Sequence, residues 1–249
     1  MFVTQAFTWF NAAMRRKRGE RKGASFWNKE YSRGAHLALS TAPSEDLQKF
    51  MRWLERADPY IQLPKDAHIA DLGCGNGRNL IYLAKEYGYT GTGYDISGEA
   101  VQQAERLAQN LPCTFTALGL SEKTSLPDNS QDLVLDMMAS HVLTEAERSA
   151  HLLEVIRILK PGGWFFYKTF LLDGDLNAKR LLRDHPADEP GSYIHPKMGV
   201  LEHVFTEKEI RNMLESDFSI HRILKSHRHL KNGRAHKRRS VTVYAQKLG

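Results

Sequence analysis

The stretch that decides the fold is Ala70-Asp71-Leu72-Gly73-Cys74-Gly75-Asn76-Gly77-Arg78-Asn79. A short apolar run, His68-Ile69-Ala70, precedes it, and Leu80, Leu83 and Ala84 follow at helical spacing. A strand that stops in a glycine-rich turn and restarts as a helix is a nucleotide-type binding element. Glycine lets the backbone turn tightly and approach a ligand closely, because no Cβ stands in the way. The spacing argues against two versions of that element. A dinucleotide fingerprint needs glycine where Arg78 stands, which disfavours a nicotinamide oxidoreductase. A P-loop needs Lys-Ser/Thr after its last glycine, and Arg78-Asn79 is not such a pair.

Strands and helices alternate from His68 onward, the pattern of a parallel sheet covered on both faces. Thr92-Gly93-Tyr94-Asp95 reads as a second strand ending in an acid, with Ser97 capping a helix from Gly98 to Asn110. Thr114 to Leu118 and Leu133-Val134-Leu135 read as the third and fourth strands. Thr144-Glu145-Ala146-Glu147 is a capping box, and its helix is expected to bury Leu152, Leu153, Ile156 and Leu159. Lys160-Pro161-Gly162-Gly163 stops that helix before a fifth strand, Trp164 to Lys168. A second capping box, Thr206 to Glu209, precedes two closing strands, Phe218 to Leu224 and Ser240 to Gln246, expected to form a hairpin. Upstream, residues 24–64 read as a helical cap, with Phe26, Trp27 and Tyr31 on one face and a helix start at Ser44-Glu45-Asp46.

Asp71-Leu72-Gly73-Cys74-Gly75-Asn76-Gly77 matches the first motif of the class I S-adenosylmethionine (AdoMet) dependent methyltransferases, and the chain resembles that superfamily from about Trp27 to Lys247. The Asp95 strand, Leu126-Pro127-Asp128 and Lys160-Pro161-Gly162-Gly163 carry the rest of the resemblance. It implies an α/β fold, a Rossmann-like sheet of seven strands with the last antiparallel, behind an N-terminal helical cap. It also implies AdoMet as cofactor and methyl transfer to an acceptor, a small molecule or RNA, that the residues do not name. The rival is a non-catalytic AdoMet-fold subunit that binds RNA or acts as a scaffold.

Position by position, the resemblance places Gly73, Cys74, Gly75 and Gly77 in the cofactor turn and Asp71 near the methionyl ammonium and sulfonium. Asp95, with Ile96 beside it, falls where an acid hydrogen-bonds ribose hydroxyls, for which a carboxylate suits because it accepts from both. Leu120 and Glu122 fall in the adenine-side loop, where Glu122 either binds the adenine amino group or is a solvated loop residue. Trp27 and Tyr31 stand one helical turn apart, as in a pair that folds over AdoMet, or as ordinary packing, and Arg33 is placed to hold the cofactor carboxylate. After the fourth strand, His141 stands where the family faces the methyl group, either as a base near neutral pH or as packing.

Residues 173–205 read as an acceptor-side insertion, with contacts expected from Tyr193, His195 or His203. His195, His203 and Glu202 lack clear metal-ligand spacing, and no metal is expected.

The net charge of +6 is concentrated at the two ends. Residues 1–23 form a basic arm that lacks the apolar core of a secretory signal, and residues 24–249 make one methyltransferase-type domain. Lys225 to Arg239 carries no acid, so it is either a solvated loop or a contact for RNA or another polyanion. Two cysteines, Cys74 and Cys113, are too few for a disulfide framework and suit a cytoplasmic location. No apolar run reaches the ~18 residues of a membrane span.

Overall fold

The structure is a computed structural model that describes residues 23–34, 36, 39–227, 229–231 and 234–249. The basic arm before residue 23 and Asn232-Gly233, a pair expected from sequence to turn, lie outside them. One seven-stranded sheet organises the chain: β1 (His68–Leu72), β2 (Thr90–Asp95), β3 (Cys113–Ala117), β4 (Gln131–Met137), β5 (Leu159–Phe170), β8 (Phe218–Lys225) and β11 (Ser240–Lys247). Their order is β3-β2-β1-β4-β5-β11-β8, and β11 runs antiparallel to both neighbours. The order reverses at β1 and β4, so a crevice opens beyond the carboxyl ends of these two strands, where ligands bind in such sheets.

Helices α3 (Arg78–Tyr87), α4 (Gly98–Leu107), α5 (Glu145–Ile158) and α7 (Glu207–Leu214) connect the strands. The sequence explains their starts. Ser97 accepts from the Ala100 N–H, and Thr144 with Glu147 and Thr206 with Glu209 close both expected capping boxes. Ahead of the sheet, residues 23–33 form α1 and Glu45–Leu54 form α2. Phe50 and Trp53 of α2 pack on Trp164, Phe166 and Tyr244 across β5 and β11, and Lys168 pairs with Asp46 at 2.6 Å.

Two expectations change. Strand β5 begins at Leu159, because Lys160-Pro161-Gly162-Gly163 forms an irregular start with Leu159 opposite Gln131 and Trp164 opposite Leu133. On α5 the buried face is His151, Glu154, Val155 and Ile158, while Leu153 is 67% exposed. Polar partners for His151 and Glu154 turn the helix away from its most apolar face. The insertion after β5 folds as α6 (Leu176–Asp184) and a hairpin of β6 (Ser192–Ile194) and β7 (Leu201–His203). Two more short strands, β9 (Leu230–Lys231) and β10 (Arg234–Ala235), pair within the segment joining β8 to β11.

Candidate functional site

The glycine turn closes β1 against β2, with the Gly73 and Cys74 N–H groups both donating to the Tyr94 carbonyl, at 2.7 and 3.0 Å. Gly73 and Gly75 sit at φ +84° and +56°. A Cβ on Gly73 would strike the Ala139 methyl, and one on Gly75 would strike the Tyr31 hydroxyl. Cys74 fills the space beneath Gly93 as a small apolar group. Asp95 completes the turn: Oδ2 accepts from the Gly75 N–H and Oδ1 from the Ser97 N–H, each at 2.9 Å. Each oxygen keeps further acceptor capacity.

These groups border a cavity of about 250 Å³. Its floor is Gly73, Cys74 and Gly75, with Asp95, Ile96 and Leu120 on one side. The segment after β4 adds an apolar wall: Met137, Met138, Ala139, Val142 and Leu143. Trp27 and Tyr31 of α1 form the roof. Helix α1 is held there by Asn28, which accepts from the Ser97 hydroxyl at 2.8 Å, and by Gln103, which donates to the Tyr31 carbonyl at 2.6 Å. Burial, then the Asp95 charge, pushes the Tyr31 phenol well above its ordinary pKa, so it stays a donor.

Four of the residues singled out in the sequence stand outside this lining, as does Gly77, which begins α3. Arg33 is exposed on α1, and Glu122 accepts from the Gly119 N–H of its own loop at 3.0 Å. His141 is buried edge-on against Phe170, 5.0 Å between ring centres, with Nδ1 unpartnered, and burial lowers its pKa. Asp71 is buried at the end of β1 and its Oδ2 has no partner.

The Asp71 carboxyl is pushed up to about 8, first by burial and then by the charges of Asp95 and Asp136, with Arg78 opposing. The folded protein therefore keeps a proton that the unfolded chain sheds above its ordinary 3.8, so stability falls as pH rises from there to about 8. Asp71→Asn is expected to flatten this part of the profile, measured by urea unfolding from pH 4 to 9. A profile unchanged by the substitution would mean that Asp71 is ionised throughout.

In the insertion, Glu202 and His203 point to different partners. Tyr193 donates to Glu202, while His203 lies 2.8 Å from the Ser192 hydroxyl and 2.7 Å from Glu209. His195 is half-buried, its ring 6.4 Å from that of Tyr193. The basic run 225–239 is not an open patch throughout. Arg238 bonds buried Asp175 and the Tyr193 hydroxyl and lies 4.2 Å over the Phe170 ring, Arg239 donates to the Asp173 carbonyl, and Lys225 pairs with Glu207. Lys237 stays exposed.

Over residues 69–163 the chain matches the family model described as a methyltransferase domain. A solved SAM-dependent methyltransferase from Methanosarcina mazei is 31% identical and superimposes with a TM-score of 0.65, over 77% of this chain and 98% of that one. The chain belongs to the S-adenosylmethionine-dependent methyltransferases. The fatty-acid O-methyltransferase of Mycolicibacterium smegmatis is 26% identical over 143 residues, 57% of this chain and 51% of that protein. The 2-methyl-6-phytyl-1,4-hydroquinone methyltransferase of Synechocystis is 33% identical over 101 residues, 41% of this chain and 31% of that protein. The chain spans about half the length, or less, of these curated relatives.

As a methyltransferase, the chain has residues that fit the cofactor of its family. The Gly75 cradle is one that a Cβ would fill, the Asp95 oxygens retain acceptor capacity, and the orphaned Asp71 Oδ2 suits a nearby cation. Sequence reasoning missed Asn76, Arg78 and Asn79 as tethers of residues 40–44, the stretch leading into α2. They bond the Ser40 carbonyl, the Ala42 carbonyl and the Ser44 N–H at 3.2, 3.2 and 3.1 Å. A hint was available for two of them: Arg78 and Asn79 are the polar residues that break the P-loop and dinucleotide patterns.

Proposed function

We propose that this chain transfers the methyl group of AdoMet to a small, largely apolar acceptor. One observation carries the reading: the glycine turn, the Asp95 carboxylate and an apolar wall after β4 surround a single cavity that α1 roofs. AdoMet supplies a methyl already activated on a sulfonium, so the protein chiefly has to orient the reactants and keep the site dry. Asp95 is assigned to the ribose hydroxyls and Asp71 to the methionyl end, whose positive charge would favour loss of the Asp71 proton. Trp27 and Tyr31 exclude water. His141, buried against Phe170 outside the cavity lining, is assigned to packing and not to the acceptor's proton.

The apolar wall and the activities of two relatives, on a fatty acid and a phytyl hydroquinone, support a small acceptor. The inward turn of Arg238 and Arg239 weighs against an RNA acceptor held by the basic run. Among the described residues no helix is long and apolar enough to cross a membrane, and both cysteines are free, which supports the cytoplasm.

The test is transfer of labelled methyl to separated small-molecule, RNA and protein fractions of a cell extract. Label is expected among the small molecules, and label in RNA would overturn the acceptor class. No AdoMet binding at millimolar concentration would leave the non-catalytic scaffold reading. With an acceptor in hand, His141→Ala is expected to lower the melting temperature and change turnover little, as for a residue packed against Phe170. A loss of turnover by about two orders of magnitude with AdoMet affinity kept would instead make His141 the base.

A further inference from the structure

We propose that His151 is a positioning residue that ties the two walls of the cofactor cleft together, a role that rests on the AdoMet reading above. His151 lies on the buried face of α5. Its Nε2 is 3.0 Å from Asp136 Oδ2 and its Nδ1 is 3.3 Å from the Leu120 carbonyl oxygen. Leu120 lines the cavity from the loop after β3. Asp136, fully buried on β4, accepts through Oδ1 from the N–H groups of Ala139 and Ser140, at 3.3 and 3.2 Å. That carboxylate therefore shapes the turn that carries Met138, at φ +62°, and Ala139 into the wall after β4. One imidazole spans the two walls.

The proton arithmetic follows from the partners. A carbonyl oxygen only accepts, so Nδ1 carries a hydrogen. The contact between Nε2 and Oδ2 needs one more proton, borne by either atom. In both arrangements the Asp136–His151 unit is neutral, which avoids burying a lone carboxylate. Among the described residues the cation that shares this small cavity is Arg148, and Glu189 engages it. From β5 the unit meets the phenol Tyr167, and from the far side Phe205 and Met213. On its own helix, Arg148 is bonded to Glu189, and Glu154 to Arg157 and Thr124. Asp71 lies near enough for the Asp136 carboxylate to raise its pKa.

The experiment has two arms. In the free protein labelled with ¹⁵N-histidine, His151 is expected to show a protonated Nδ1. A bare Nδ1 would overturn the bridge. By calorimetry with S-adenosylhomocysteine, His151→Leu and Asp136→Asn are each expected to raise Kd about tenfold, as for a lost hydrogen bond to a charged group. The double variant should be little worse than either alone, because both break one connection. Wild-type Kd values in both folded single variants, or fully additive losses, would also overturn it. A wild-type protein that binds no cofactor would instead sink the methyltransferase reading, while the nitrogen spectrum still decides the bridge.

Discussion

Gly75→Val is expected to abolish AdoMet binding while the sheet still folds. Gly75 sits at φ +56°, a left-handed conformation that costs a residue with a Cβ roughly 1–2 kcal/mol, and a β-branched side chain is a poor fit there. The new Cβ would also run into the Tyr31 hydroxyl that roofs the cleft. The turn would have to shift or α1 would have to lift, and either change spoils the surface offered to the cofactor. The strands of the sheet do not depend on this contact, since β1 is held by its registers with β2 and β4. Calorimetry gives the affinity and circular dichroism the fold. Normal binding by the variant would mean that the turn does not cradle the cofactor.

The second large effect is expected from Asp95→Ala, which should weaken AdoMet binding by about 1.5–3 kcal/mol, roughly one to two orders of magnitude in Kd. Two losses contribute. The ribose hydroxyls lose their acceptor, and the Gly75 and Ser97 N–H groups lose the carboxylate that orders the turn. Asp95→Asn separates them, because an amide oxygen replaces part of the second role without the charge. It is expected to fall between wild type and Asp95→Ala. An unchanged dissociation constant in folded Asp95→Ala would remove Asp95 from the ribose.

Arg238 shows how a basic segment can mislead. In the sequence it is one of a single-sign run that invites an anionic partner. In the fold it is bonded to Asp175 at the start of α6 and to Tyr193 of β6, so it fastens the insertion to the β11 end of the sheet. Replacing it would disturb that anchor before it altered any surface field. Lys237 is the better residue for probing the charge of this loop.

Local rules carried the glycine turn, the acid at the end of β2, both capping boxes and the alternation that defines the sheet. Each depends on backbone geometry within a few residues, where a missing Cβ or a cap side chain has few alternatives. Long-range pairing decided the rest. Leu153 is more apolar than His151, yet His151 is buried, because Asp136 and the Leu120 carbonyl wait for it on other elements. His141 stands where the site was expected, but a tight turn sends Val142 into the cavity and His141 against Phe170. Arg78 and Asn79 read as departures from known loops until the fold brings residues 42–44 beside them. A buried polar residue is stable only with its partner, and the partner lies tens of residues away in the chain, so only the assembled structure identifies it.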